Sequence, residues 1–116
     1  MIHFVKPKMY SKDDILNVFA MIDEYYDKID HTKVTYKIPT YYVTPILDAE
    51  SAYHVYCIAW TDKITRKTTH AMIQGKPLVF LEEQTANEAL GHMRIRISKL
   101  RQAIAKHKLK GDNKHG

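Results

Sequence analysis

The chain has 116 residues and a net charge of +5, with 45% hydrophobic and 27% charged residues, a balance typical of a globular domain and not of a disordered chain. One hydrophobic core is expected at this length. The sequence contains no run of about 18 apolar residues, the length needed to span a membrane. The lone Cys57 cannot form an internal disulfide. The N-terminal segment, interrupted by Lys6 and Pro7, is too short for a signal peptide, so we expect a cytoplasmic location.

A first helix is predicted over residues 12–30, after a short strand predicted at residues 2–5. Ser11 followed by Asp14 is an N-cap pattern. Apolar side chains then repeat at helical spacing, at Ile15, Val18, Phe19, Ile22, Tyr25, Tyr26 and Ile29. The outer face carries four acids, Asp13, Asp23, Glu24 and Asp27. We expect these acids to attract a basic helix lying alongside, by about 0 to 1 kcal/mol for each exposed pair.

The middle of the chain has the alternation of β-strands. Residues 33–47 form one such stretch, and Pro39 and Pro45 predict that this strand lies at a sheet edge or bends at Pro39. Two further stretches, 53–60 and 67–74, predict an antiparallel hairpin. A short apolar run before the second helix predicts a fourth strand or an extension of the hairpin.

The two faces of this hairpin differ in size. One face is small and apolar, with Val55, Cys57, Ala59, Ala71 and Ile73. The other face is bulky and partly polar, with Tyr56, Ile58, Trp60, His70 and Met72. Small side chains allow a helix to approach a sheet closely, so we expect the helices on the Val55 face, with the Tyr56 face left uncovered.

A second helix is predicted over residues 85–108. Thr85 and Glu88 form a capping-box pattern, and Gly111 is a natural stop after the lysines of the last turn. Apolar residues follow a single stripe along this helix, at Ala86, Leu90, Met93, Ile97, Leu100 and Ile104.

The order of these elements predicts the fold class. A helix, three or four antiparallel strands and a second helix form an α+β two-layer sandwich with both helices on one face of the sheet. Residues 1–108 are expected to form a single domain, and residues 109–116 a flexible basic tail.

The basic residues concentrate in the second half of the chain. Residues 61–116 contain 12 Lys and Arg against 5 Asp and Glu, whereas residues 1–60 contain 6 against 8. This pattern favours a non-enzymatic module that binds nucleic acid or a nucleoprotein complex. An acidic protein is the alternative partner that the positive charge would suit. The plain alternative is that the lysines only solvate the helix end. The candidate phosphate contacts are Arg94, Arg96, Lys99, Arg101, Lys106 and Lys108.

A second hypothesis is a protein-interaction module, an inhibitor or adaptor of the kind that phages and other mobile elements encode. Ile95 lies opposite the apolar stripe of the second helix, so two apolar surfaces lack a cover within one domain. They suggest docking on a partner or formation of a homodimer. The predicted interface residues are Ile95, Tyr56, Trp60, His70 and Met72.

Evidence for an enzyme is weaker. The sequence contains no Gly-rich phosphate loop, no His-Glu-x-x-His zinc helix and no Gly-x-Ser-x-Gly elbow. His54 and His70 share a face under the pairing assumed above, which makes a hydrolase the third hypothesis. Cys57 is expected to be a core residue and not a nucleophile, and no metal or cofactor is predicted.

Overall fold

A computed structural model describes residues 8–34, 37–48 and 52–113, with side chains up to residue 108. The predicted strand at residues 2–5 lies outside the described residues. In chain order the elements are β1 (Met9–Tyr10), a 3₁₀ turn (Lys12–Asp14), α1 (Ile15–Asp27), β2 (Tyr42–Leu47), β3 (His54–Thr61), β4 (Thr68–His70), β5 (Met72–Ile73), β6 (Lys76–Pro77), β7 (Val79–Phe80) and α2 (Glu83–Asn113). The predicted α+β class and the rough order of helix, strands and helix are confirmed.

Strand β3 is the centre of the main sheet. β2 runs antiparallel along one side of it, with Tyr42 opposite Ala59. On the other side β4 pairs with the end of β3 and β7 pairs with its first half, both antiparallel. β1 lies parallel to β7, with Tyr10 opposite Phe80. The sheet is therefore mixed, because β1 adds a parallel pair to the antiparallel pairings of β2, β4 and β7 with β3.

The second strand of the predicted hairpin is interrupted. After β4 the chain forms the separate β5–β6 hairpin, and β7 then rejoins β3. Gln74 and Gly75 form the tight turn of this small hairpin and have φ angles of 54° and 75°. The backbone of Ile58 bridges the interruption, because its carbonyl accepts from the Ala71 N–H at 2.8 Å and its N–H donates to the Leu78 carbonyl at 3.2 Å.

β2 lies at an edge of the main sheet, as its prolines predict. Pro45 is within the strand, opposite Tyr56. The strand begins at Tyr42, so Pro39 precedes it. Residues 37–41 instead form a connecting segment that leads into β2.

The helices pack against the bulky face of the sheet. The prediction that they cover the Val55 face was wrong for Val55, Cys57 and Ala59, whereas Ala71 and Ile73 do lie in the core that the helices cover. Ile58 and Phe80 are fully buried in one core with residues of both helices, and Tyr56 packs against that core. Val55 and Cys57 belong to a smaller cluster on the other face. The physical reason is that burial gains scale with apolar area, so the face with the larger side chains gains most from a cover.

The apolar stripe of α2 is confirmed, whereas its two ends differ from the prediction. Met93 and Ile97 are buried in the main core. α2 begins two residues before Thr85, whose buried hydroxyl donates to the Glu82 carboxylate at 3.4 Å, so the predicted capping box was wrong. The helix also continues through Gly111 to Asn113.

The predicted domain boundary therefore falls inside α2, and the last three residues of the predicted tail lie outside the described residues. Within the described part of the chain, neither helix combines the length and the apolar character that crossing a membrane requires.

Candidate nucleic-acid interface

The six basic residues predicted to contact nucleic acid lie on three sides of α2. An α-helix advances about 100° per residue, so residues seven apart point in nearly the same direction. The three groups are Arg94, Arg101 and Lys108 on one flank, Arg96 on the flank that faces α1, and Lys99 and Lys106 on the outer face near Ile95. The three groups have different surroundings.

Arg96 is paired with acids of α1. Its guanidinium donates to the Asp27 carboxylate, and its Nε lies 3.6 Å from Asp23 Oδ1. His92 Nε2 donates to the same Asp23 oxygen at 2.7 Å, and the His92 ring stacks on Phe19 with 4.4 Å between centroids. The predicted attraction between the acidic face of the first helix and the basic helix is confirmed at Asp23 and Asp27. Arg96 therefore joins the two helices.

The flank with Arg94 faces the 37–41 segment. Arg94 Nη2 donates to the Tyr41 carbonyl at 3.3 Å and so ties the segment to the helix. A cavity of about 260 Å³ lies between them, lined by Pro39, Thr40, Tyr41, Arg94, Ile97 and Arg101.

A second cavity continues along the same flank toward the end of the helix. Its volume is about 470 Å³, and it is lined by Lys37, Ile38, Arg101, Ile104, Ala105 and Lys108. Arg101 lines both cavities, so the two are adjacent. Together they form what we call the α2 groove.

The charged residues among the described lining of the α2 groove are all positive. Four exposed cations line it, Lys37, Arg94, Arg101 and Lys108, and none of its described lining residues is acidic. At about 1.5 Å rise per residue, the three cations of α2 are about 10 Å apart in succession and span about 21 Å. The remaining lining is largely apolar, so the groove combines a positive rim with an apolar floor.

The predicted protein-interface residues do not share one face. Tyr56 lies under the helices, and Trp60 is half-buried on the same side of β3. His70 is opposite Ala59 and so lies on the other side of the sheet. Met72 belongs to the separate β5–β6 hairpin. The prediction of an uncovered aromatic face was wrong, although the predicted exposure of Ile95 is confirmed, at 56%.

The histidine pair of the hydrolase hypothesis is also divided. His54 is five positions before Ala59, the partner of His70, so the two side chains lie on opposite faces, about 17 Å apart along the strand. The assumed pairing was therefore wrong. Among the described residues, no three His, Cys, Asp or Glu side chains are grouped to hold a metal ion. Cys57 is buried as predicted, and burial raises the pKa of its thiol.

Two groove residues had no signal in the sequence, Lys37 and Tyr41. Both lie in the stretch 33–47, predicted as a strand that lies at a sheet edge or bends at Pro39, where alternation alone gave them no common partner. Their position depends on α2, which is more than 50 residues away along the chain.

Comparison of the chain with protein-family models, with curated proteins and with solved structures found no significant match.

Proposed function

We propose that the protein is a small non-enzymatic module that binds nucleic acid, free or within a nucleoprotein complex, through the α2 groove. The observation that carries this proposal is the row of four cations along a groove whose described lining has no acid. Contacts to phosphates supply most of the affinity of such modules, and they require positive side chains set along a path and not merely a high net charge.

The arginines have the chemistry that the proposal needs. A guanidinium carries five N–H donors in a planar fork that matches two phosphate oxygens. Arg94 uses one N–H on the Tyr41 carbonyl, which fixes its position and leaves the other donors for a ligand. Arg101 belongs to both cavities and is therefore the central contact. Lys37 and Lys108 add positive charge at the second cavity.

The test is a binding assay at several salt concentrations with DNA and RNA oligonucleotides. Replacing Lys37, Arg94, Arg101 and Lys108 together by Gln removes four phosphate contacts. The slope of log K against log salt should then fall by about three units, since each contact contributes about 0.7 to 0.9. A matched variant replaces Lys63, Arg66, Lys67 and Lys76 by Gln. These residues are exposed in or beside the hairpin turns, outside the described lining of the groove.

The matched variant loses the same net charge, so it should keep most of the affinity and the slope. The proposal fails if the wild type binds no DNA or RNA at low salt. It also fails if the two variants lose affinity equally, because binding would then follow net charge and not the groove.

A second candidate function is a protein-interaction module, which includes a homodimer. The exposure of Ile95 on the outer face of α2 favours it. An interface of this kind is centred on apolar contacts and depends little on salt. The same salt series therefore separates the two candidates, with Ile95→Glu as the variant that weakens a protein interface and leaves phosphate contacts in place.

A further inference from the structure

We infer that the α2 groove takes a single strand of nucleic acid, with bases against its apolar floor and phosphates on its four cations. This inference rests on the proposed function and adds the class of ligand. Two features of the groove carry it, its shape and its apolar lining.

The shape excludes the usual way in which a helix reads a duplex. The major groove of a duplex is about 12 Å wide, and an α-helix with its side chains already measures about 10 to 12 Å across. The 37–41 segment packs along the flank of α2 that carries the cations, tied there by the bond from Arg94 to the Tyr41 carbonyl. The helix and the segment together are too wide to enter the major groove, so α2 cannot present these cations to the base edges of a duplex in that way.

The lining of the groove adds a second argument. Phosphate contacts alone need no apolar surface, yet Pro39 and Ile97 line the first cavity, and Ile38 and Ile104 line the second. Tyr41 also lines the first cavity. Proteins that bind single strands combine a positive groove with surfaces for unpaired bases. In a duplex the bases are stacked inside, so these surfaces would remain unused.

The length of the groove sets the size of the ligand. The cations of α2 span about 21 Å, which corresponds to about six nucleotides at a rise of about 3.4 Å for a stacked strand. Oligonucleotides of 12 residues are therefore long enough to fill the groove.

The experiment compares four 12-residue probes by fluorescence anisotropy at one low salt concentration. They are oligothymidylate, oligouridylate, a mixed-sequence duplex, and an abasic sugar-phosphate strand. The abasic strand has the same phosphates as oligothymidylate but no bases. If bases contact the apolar floor, it should bind at least about fivefold more weakly, since contact with one base typically contributes that much. The duplex should also bind more weakly than the better of the two single strands. The two single strands distinguish DNA from RNA as the source of the ligand.

A variant tests the same point from the protein side. Ala105→Leu places a larger apolar side chain in the second cavity without changing charge, and leucine is a strong helix former. It should lower the affinity for the better single strand at least about twofold and leave the abasic strand unchanged. Gln102→Leu adds the same residue at an exposed position outside the described lining of both cavities, and it should change neither.

The outcomes separate this inference from the proposed function. If no probe binds, both are overturned. If the abasic strand or the duplex binds as tightly as the better single strand, the module binds phosphates but the single-strand inference is wrong. If the abasic strand and the duplex bind more weakly and only Ala105→Leu lowers the single-strand affinity, the inference is supported.

Discussion

Arg96 of α2 and Asp27 of α1 form an ion pair across the helix interface, although 69 residues separate them in the chain. Asp23 lies beside the same guanidinium and also accepts from His92. The Arg96 side chain is 21% exposed, so most of it is packed between the helices. Its charge is therefore matched by carboxylates of the protein, whereas no acid is among the described lining residues of the α2 groove.

Replacing Arg96 and Arg101 one at a time by Gln should affect different properties, stability for Arg96 and nucleic-acid binding for Arg101. Arg96→Gln should lower the free energy of unfolding by about 1 kcal/mol, a modest loss because Asp23 and Asp27 are partly in water. It should leave nucleic-acid binding almost unchanged. Arg101→Gln should reduce the salt slope of binding by about one unit, with stability within about 0.5 kcal/mol of the wild type. Urea melts and anisotropy titrations measure both, and equal losses of affinity would contradict the division.

The core role of α2 can be tested with two neighbouring isoleucines. Ile97 is buried in the main core, whereas Ile95 is 56% exposed on the outer face. Ile97→Ala should lower the free energy of unfolding by about 2 to 5 kcal/mol through lost burial and an unfilled cavity. Ile95→Ala should change it by no more than about 0.5 kcal/mol. Similar values for the two variants in denaturant melts would mean that this face of the helix is assigned wrongly.

The sequence predicts the stripe of α2 well because the signal is local. A spacing of three or four residues puts Met93 and Ile97 on one side of any helix, whatever packs against it. The faces of the sheet are different. Alternation separates Tyr56 from Cys57, but both faces of β3 carry apolar side chains. The side that the helices cover is decided by packing volume across distant segments. That choice could not be read from spacing.

Of the candidate site, only the positive charge of α2 could be predicted from the sequence. The basic character of α2 is visible in the sequence, whereas the partner of each cation depends on contacts between distant residues. Arg96 meets Asp27 across 69 residues, and Arg94 meets Tyr41 across 53. Lys37 joins the groove because the chain leaves its extended pattern before β2. None of these contacts can be inferred from the spacing of residues in the sequence.

The β3–β4 loop should make stability depend on acid pH. Asp62 accepts hydrogen bonds from the backbone N–H groups of Thr65 at 2.9 Å and Ile64 at 2.8 Å, and these bonds lower the pKa of its carboxyl. A lowered pKa in the folded state adds stability above the ordinary carboxyl pKa of about 4, and this is lost as pH falls through the folded value.

Asp62→Asn should therefore lose less stability than the wild type between about pH 5 and about pH 2, because its side chain does not titrate. Thermal melts at several pH values measure the difference. Lys63→Gln changes the charge of the same loop without removing an acid, so it should keep the wild-type profile. Parallel profiles for Asp62→Asn and the wild type would show that the loop contributes no acid dependence.

Cys57 should react with thiol reagents only when the protein opens. It lies in the middle of β3 with 0% of its surface exposed, and burial raises the pKa of its thiol, so both access and the reactive thiolate are reduced. Labelling with a chromogenic disulfide reagent should be at least about 100-fold slower in the native protein than in urea, because it requires an opening of the core.

Ser98→Cys supplies the matched thiol, since Ser98 is exposed on α2. The variant should show one fast and one slow thiol in the same molecule. Adding Ile97→Ala to the wild type should speed the labelling of Cys57, because the open state becomes more populated as the core is weakened. If Cys57 reacts as fast as the thiol at position 98, the cluster of Val55, Cys57 and Val79 is open to solvent. The second face of the sheet would then be an exposed surface and not part of the packed interior.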